Sequence, residues 1–325
     1  MRVAILVIQV FPRSVIFSAT EWLAFIGFYL FRGFRLRSTR NMQLALGDKF
    51  SQTDIQRMVQ TSLRNFFYSF AEIPISLASR PEQLRRDIAF AGREHLDAAL
   101  AKGNGVILLS AHLGNFFLLG TRLALSGYRT HVLVNQPRHG RFAQLMDEYR
   151  SKVLQNTIHA RPRREALRYL VQVLRRNELA VIIADEYRRG NHGIRAPFFG
   201  RAVLARRGPV TLALRTGAAV VPALLVRGAD NRLTLIVEPE LELIRTGRDK
   251  TVIVENTAHI TRWVERIVGL YPDQWNWITL NWQEGVAAPV SGERERIEQL
   301  PVSSLDSEVS RSASPARDRR PATRD

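Results

Sequence analysis

Apolar residues fall along this chain in two rhythms, and their alternation from about residue 92 onward predicts the fold. Continuous apolar runs, the pattern of strands covered on both faces, occupy 105–111, 130–136, 179–185, 217–226 and 233–238. Between them the spacing turns helical at 116–125, 141–155, 163–176 and 209–215, with a longer helix at 251–270. Strands that alternate with helices in this way predict an α/β domain built on a mixed, mainly parallel sheet flanked by helices. Upstream, Ile55, Met58, Val59, Leu63, Phe66, Phe67 and Phe70 recur at helical spacing within 54–72, with Ser51 or Thr53 placed to cap the helix. That aromatic stripe reads as core.

Residues 3–31 are mostly apolar but are interrupted by Pro12, Arg13 and Glu21, which leaves 14–31 as an apolar stretch with a single acid. A clean span wants about 20 apolar residues. A cleaved signal would need small residues after its core, and here the bulky run from Trp22 to Phe31 continues. The expectation is an uncleaved membrane anchor, either spanning once or lying in the interface; a buried amphipathic helix is the other reading. Arg32, Arg35, Arg37 and Arg40 follow directly and would hold the downstream chain on the cytoplasmic side. After Trp282 no aromatic residue occurs, and 284–325 is rich in Ser, Pro, Arg and acids, which predicts a disordered tail. The expected organisation is an anchor over 1–40, one domain over 41–283 and a tail over 284–325.

Composition adds constraints. Hydrophobic residues make up 46% of the 325, enough for a sizeable core. A formal net charge of +17 asks for an anionic partner: nucleic acid, anionic lipid or an acidic substrate. Zinc-finger spacing, aromatic RNA-binding signatures and helix-turn-helix patterns are absent, which disfavours nucleic acid. With no cysteine, a thiolate nucleophile and a Cys-ligated metal are excluded.

The candidate chemistry sits where the first strong strand ends, at His112-Leu-Gly114-Asn115. Ligands collect at the carboxyl ends of strands in open α/β sheets, and a histidine there can take a proton near neutral pH. A hydrogen-bonded structural histidine is the plainer alternative. A second buried strand ends in Asp185-Glu186, Pro197-Phe-Phe-Gly200 precedes Arg206-Arg-Gly208-Pro209, and Tyr271-Pro-Asp-Gln-Trp-Asn-Trp277 closes the predicted domain.

Taken in this order, with the Arg40-Asn41 pair and the Gly92-Arg-Glu-His-Leu lead-in, these segments resemble the bacterial lipid A biosynthesis acyltransferases, within the lysophospholipid acyltransferase superfamily. The resemblance spans about residues 1–282 and implies a glycerolipid acyltransferase-like fold. It implies a membrane-associated enzyme on the cytoplasmic face of a bacterial inner membrane. Such an enzyme moves an acyl chain from acyl carrier protein or acyl-coenzyme A to a hydroxyl of a glycolipid or lysolipid, without metal or redox cofactor. His112 would be the general base, with Gly114 and Asn115 bringing donors to the oxyanion. Arg150 matches a family arginine suited to phosphate or donor. Phe199, within Phe198-Phe-Gly200, would shape the acyl groove. Arg188, Arg189, Arg195, Arg201, Arg206 and Arg207 are dense enough to form a phosphate patch.

One position departs from the family. The acid expected five residues after the histidine is Phe117 here. Asp185 and Glu186 are the candidates to replace it, and Glu186 is favoured because the family commonly shows Asp-Gln there. A buried ion pair with an arginine is the structural alternative for either acid. A relative that has lost catalysis and only binds lipid would also account for Phe117.

Overall fold

The computed structural model describes residues 11–135, 140–187, 193–246 and 250–283. All of them belong to one compact unit, Met1–Pro289. Chain order begins with three helices, α1 (Arg13–Leu30), α2 (Arg32–Leu46) and α3 (Gln52–Ala78), then the short α4 (Pro81–Asp87). The sheet region continues as β1 (Ile88–Ala91), α5 (Arg93–Ala101), β2 (Val106–Ser110), α6 (Phe116–Leu125), β3 (Thr130–Val134), α7 (Arg141–Lys152) and β4 (Gln155–His159). Next come α8 (Arg163–Arg175), β5 (Leu179–Ile183), β6 (Ile194–Phe198), β7 (Arg201–Ala205), α9 (Gly208–Thr216), β8 (Ala219–Arg227), β9 (Leu233–Val237) and α10 (Lys250–Leu270). A short 3-10 turn at Trp277–Thr279 ends the series.

Seven strands form one sheet in the order β1-β9-β8-β2-β5-β3-β4, parallel at every junction except the antiparallel β8–β9 pair. The α/β class with a mixed, mainly parallel sheet is therefore present. Side chains alternate across it. Val106 and Leu108 of β2 join Leu96, Leu118, Leu119 and Tyr149 on one face, under α5, α6 and α7. Ile107 and Leu109 join Leu170, Val173, Leu212 and Val264 on the other, under α8, α9 and α10. One junction is incomplete. β3 pairs with β5 only over Thr130–Val132 and Leu179–Val181, although β5 stays paired with β2 to Ile183 and β3 with β4 to Val134. The sheet splays there at its carboxyl edge.

Boundaries differ from the sequence pattern where strands are edges or hairpins. The helix expected over 141–155 stops at Lys152, and Gln155 opens β4, an edge strand with a single buried apolar residue, Ile158. β1 was not signalled by its four residues. The aromatic loop 197–200 is the turn of the β6–β7 hairpin, with Phe198 on the strand and fully buried. Helix α3 is capped by Ser51, whose hydroxyl accepts from the Asp54 amide at 3.2 Å, and it runs beyond Glu72 because Ile73, Ile75 and Ser76 continue its buried face.

Among the described residues no single helix is long and apolar enough to cross a membrane; near the N-terminus α1 and α2 meet at an 84° bend around Phe31. Helix α1 packs its Thr20, Ala24, Gly27 and Phe28 face toward α3, and its one acid, Glu21, reaches Arg64 of α3 at 3.2 Å. The opposite face leaves Trp22 68% and Leu30 73% exposed, together with Leu23, Ile26 and Tyr29. The 40/41 boundary expected between anchor and domain lies inside α2. Asn41 is buried there and donates to the Trp277 carbonyl at 2.8 Å and the Leu280 carbonyl at 3.2 Å. The expected tail, 284–325, lies outside the described residues.

Asn41→Ala should lower unfolding free energy by about 1–3 kcal/mol, the cost of leaving buried carbonyls without their donor. The urea midpoint measures it, and an unchanged midpoint would mean water replaces the amide.

Candidate active site

The buried β2 and β5 lie side by side and in register, so the loops leaving their carboxyl ends meet. His112 follows β2 and Asp185 follows β5. The ring Nδ1 of His112 lies 2.9 Å from Asp185 Oδ1, and the His112 backbone amide donates to Oδ2 at 2.8 Å. The Trp275 indole also donates to Oδ2, at 2.7 Å. Three donors converge on a carboxylate that has no solvent exposure. Burial pushes the Asp185 pKa up, but the His112 charge and these hydrogen bonds outweigh it and hold the acid below its ordinary value. For the ring, burial alone would favour the neutral form. Its pairing with Asp185, with a smaller pull from Glu186, reverses the sign and raises the His112 pKa above 6.5.

The expected preference between the two acids is thus corrected: Asp185 meets the ring. Glu186 lines the cavity but turns its carboxylate to the Arg206 guanidinium, as the ion-pair alternative foresaw. Chain direction explains the difference. Asp185 lies two residues beyond Ile183 and His112 two beyond its partner Ser110, so the register sets them beside each other; the chain then turns at Glu186, where the Tyr187 amide donates to the Asp185 carbonyl at 3.0 Å.

Gly114 and Asn115 shape the loop, and their backbone amides are already taken. Gly114 has φ of +58°, and a Cβ there would lie 2.1 Å from the Leu225 carbonyl, so only glycine fits. Its amide donates to the Gln274 carbonyl, and the Asn115 amide to that of Leu225. The Asn115 side chain caps α6 through Leu118 N and donates to Glu72 Oε2 at 2.6 Å. That corrects the expectation of an oxyanion role for its amide. Donors do exist one residue on: the Phe116 and Phe117 amides open α6 and have no acceptor among the described residues. An anion is favoured at such a helix start.

A cavity of about 1190 Å³ opens beside His112, its walls mostly apolar and its rim carrying Arg161, Arg163, Arg206, Arg207 and Arg215. Arg150 also reaches it, with a side chain only 10% exposed and one hydrogen bond, to Asp147 at 3.1 Å. Phe117 lines it too and packs on Phe70 and Phe116. Phe199 does not line this cavity; in the hairpin turn it packs on Phe198 and Trp277. Arg195 and Arg201 are exposed and also lie away from it, while Arg188 and Arg189 fall outside the described residues. Among the described residues no three His, Asp or Glu side chains converge as a metal site requires.

Two supports were not legible as site residues. Trp275 holds Asp185. Beneath the loop, Glu72 accepts from Arg227 at 2.9 and 2.7 Å as well as from Asn115. A carboxylate on the buried face of an amphipathic helix is the one sequence signal for Glu72.

Glu72→Ala should cost about 3–5 kcal/mol, because the buried Arg227 charge is left uncompensated. Pairing it with Arg227→Leu should recover part of that loss in a denaturation cycle; simple addition of the two losses would show the pair to be uncoupled.

Compared with known proteins, the family model described as bacterial lipid A biosynthesis acyltransferase matches residues 2–284. A phosphatidylinositol mannoside acyltransferase of Mycobacterium tuberculosis (strain CDC 1551 / Oshkosh) is 34% identical over 140 residues, 42% of this chain and 43% of that protein. A protein of the same name from Mycolicibacterium smegmatis (strain ATCC 700084 / mc(2)155) is 30% identical over 193 residues, 58% of this chain and 60% of that protein. The chain therefore aligns with less than two thirds of the length of these curated relatives.

Proposed function

The chain belongs to the bacterial lipid A biosynthesis acyltransferase family, and from that premise we propose that it moves a fatty acyl chain from an acyl thioester to a hydroxyl of a membrane glycolipid. The observation that carries this reading is the His112–Asp185 pair at the mouth of a large apolar cavity with an arginine rim. In the proposed reaction, the imidazole nitrogen remote from Asp185 takes the proton of the acceptor hydroxyl as its oxygen attacks the thioester carbonyl. The Phe116 and Phe117 amides stabilise the oxyanion. Collapse breaks the carbon–sulfur bond, and the thiolate leaves with the proton from the imidazolium, giving ester and free thiol. Asp185 stays ionised throughout and stabilises the charged ring. The Asp185 contact supports catalysis over the lipid-binding alternative that Phe117 raised, since it supplies the ring with an acid partner.

The acceptor is a glycolipid such as a lipid A precursor or, as the relatives' names suggest, a phosphatidylinositol mannoside. The donor is acyl carrier protein or acyl-coenzyme A, whose phosphate suits the arginine rim. In this reading the exposed apolar face of α1, opposite the face packed on α3, rests in the membrane interface on the cytoplasmic side of the inner membrane.

Purified protein should consume acyl thioester in the presence of glycolipid. His112→Ala should abolish transfer, Asp185→Asn should lower it by roughly 10³–10⁴ on the triad precedent, and Glu186→Gln should keep most of it. Because the base must be neutral and its pKa is raised, the acid limb of kcat/KM should lie above 6.5 and move down in Asp185→Asn. Full activity of Asp185→Asn would remove the relay; an idle wild type would remove the enzyme reading. Replacing Trp22 and Leu30 together by Asp should release the protein from phosphatidylglycerol-containing vesicles on sedimentation, and unchanged binding would refute the interfacial role of α1.

A further inference from the structure

The cavity beside His112 is lined by residues of both faces of the sheet, which gives it a lobe on each, and the two sets of residues follow one another at the β3–β5 gap. Val132 and Val181, the last paired residues of β3 and β5, belong to the core under α6 and α7; Leu133 and Ile182, directly after them, belong to the core under α8 and α9. All four line the one cavity, as do Val134 and Ile183 at the gap itself. Unpaired strand ends in the middle of a parallel sheet are costly unless something separates the strands for a purpose, because central strands satisfy their backbone groups by pairing.

The lobes differ in chemistry. The one under α8, α9 and α10 is walled by Leu133, Ala166, Leu170, Ile182, Leu212 and Ile253, which suits hydrocarbon. The one under α6 and α7 has Phe117, Gly120 and Val132 but ends in Gln155 and Arg150. The Arg150 side chain is nine-tenths buried, gives one hydrogen bond to Asp147, and has no other acceptor among the described residues. Burial already pulls its pKa below the ordinary value. A buried charge so thinly compensated, with donors left for the cavity, calls for an anion.

We propose that the splayed gap between β3 and β5 separates the two substrates: the acyl chain of the donor enters the lobe under α8 and α9, and a phosphate ester of the acceptor head seats on Arg150 in the lobe under α6. This rests on the proposed acyl transfer. His112 lines the same cavity from the carboxyl end of β2, one strand from the gap, and in this arrangement the acceptor hydroxyl approaches it from one face and the thioester carbonyl from the other. The donor's head then lies along Arg206, Arg207 and Arg215 at the outer mouth. Leu170 and Ile253 become determinants of donor chain length, and Arg150 of the acceptor.

Binding, which needs no turnover, tests this on the full-length protein. The probes are octanoyl-, dodecanoyl- and palmitoyl-pantetheine, which carry no phosphate, with glycerophosphoinositol as the anionic head and palmitoyl-phosphopantetheine to place the donor phosphate. Leu170→Trp should weaken palmitoyl-pantetheine about tenfold or more relative to the octanoyl probe and leave glycerophosphoinositol unaffected. Arg150→Gln should weaken glycerophosphoinositol by about tenfold or more without changing the chain-length order. Ile253→Phe and Arg150→Lys serve as second variants, with circular dichroism and melting confirming folded protein. The proposal fails if the two variants exchange effects, if neither changes its own probe, or if Arg150→Gln weakens palmitoyl-phosphopantetheine but not glycerophosphoinositol. Probes that bind as expected to a protein that performs no transfer would overturn the catalytic reading while leaving the two-lobe assignment intact.

Discussion

A carboxylate taken out of water is stable only if its lone pairs are met, and the site is arranged around meeting those of Asp185. A ring nitrogen, a backbone amide and an indole do so. The same contacts fix the plane of the His112 ring and the path of its loop, because two of the three donors belong to His112 itself. Acid and base are thus positioned by the chemistry that makes the acid's burial tolerable. Removing any donor would leave the charge under-satisfied and the ring free to turn.

Everything beneath the loop serves its height above the sheet. Gly114 lets the backbone come within contact of β8, and the Gln274 carbonyl takes its amide. The Gln274 side chain in turn spans the Arg227 amide and carbonyl, at 2.9 and 2.8 Å. Arg227 passes to Glu72, and Glu72 to Asn115, which starts α6. This closed circuit of polar groups couples α3, β8, the His112 loop and the segment around Gln274, and each of its side chains has a partner. A hydrophobic floor would fill the same space without dictating where the loop sits.

Central strands and long helices were legible in the sequence because burial on both faces, or on one stripe, writes a strong period. β2, β5 and β8 are of this kind. Edge elements were not: β4 has one buried apolar residue among polar neighbours, and β1 is four residues long. His112 was legible from its place after a buried strand. The choice of Asp185 over Glu186 was not, because both follow the same strand and only the β2–β5 register and the turn after it decide which meets the ring. Trp275 gave a weaker signal still. An indole in a closing segment serves core, membrane or hydrogen bond equally well, and the partner that decides is 90 residues away.

That separation also sets a schedule. Both members of the acid–base pair are on the nascent chain once residue 185 is made, but the indole that holds the acid and the carbonyl that holds Gly114 come from 274–275. At roughly 5–20 residues per second, synthesis leaves an interval of several seconds in which imidazole and carboxylate exist without their clamp. The 274–275 segment therefore acts as a completion check, since the acid and the ring are clamped only on chains translated through to it.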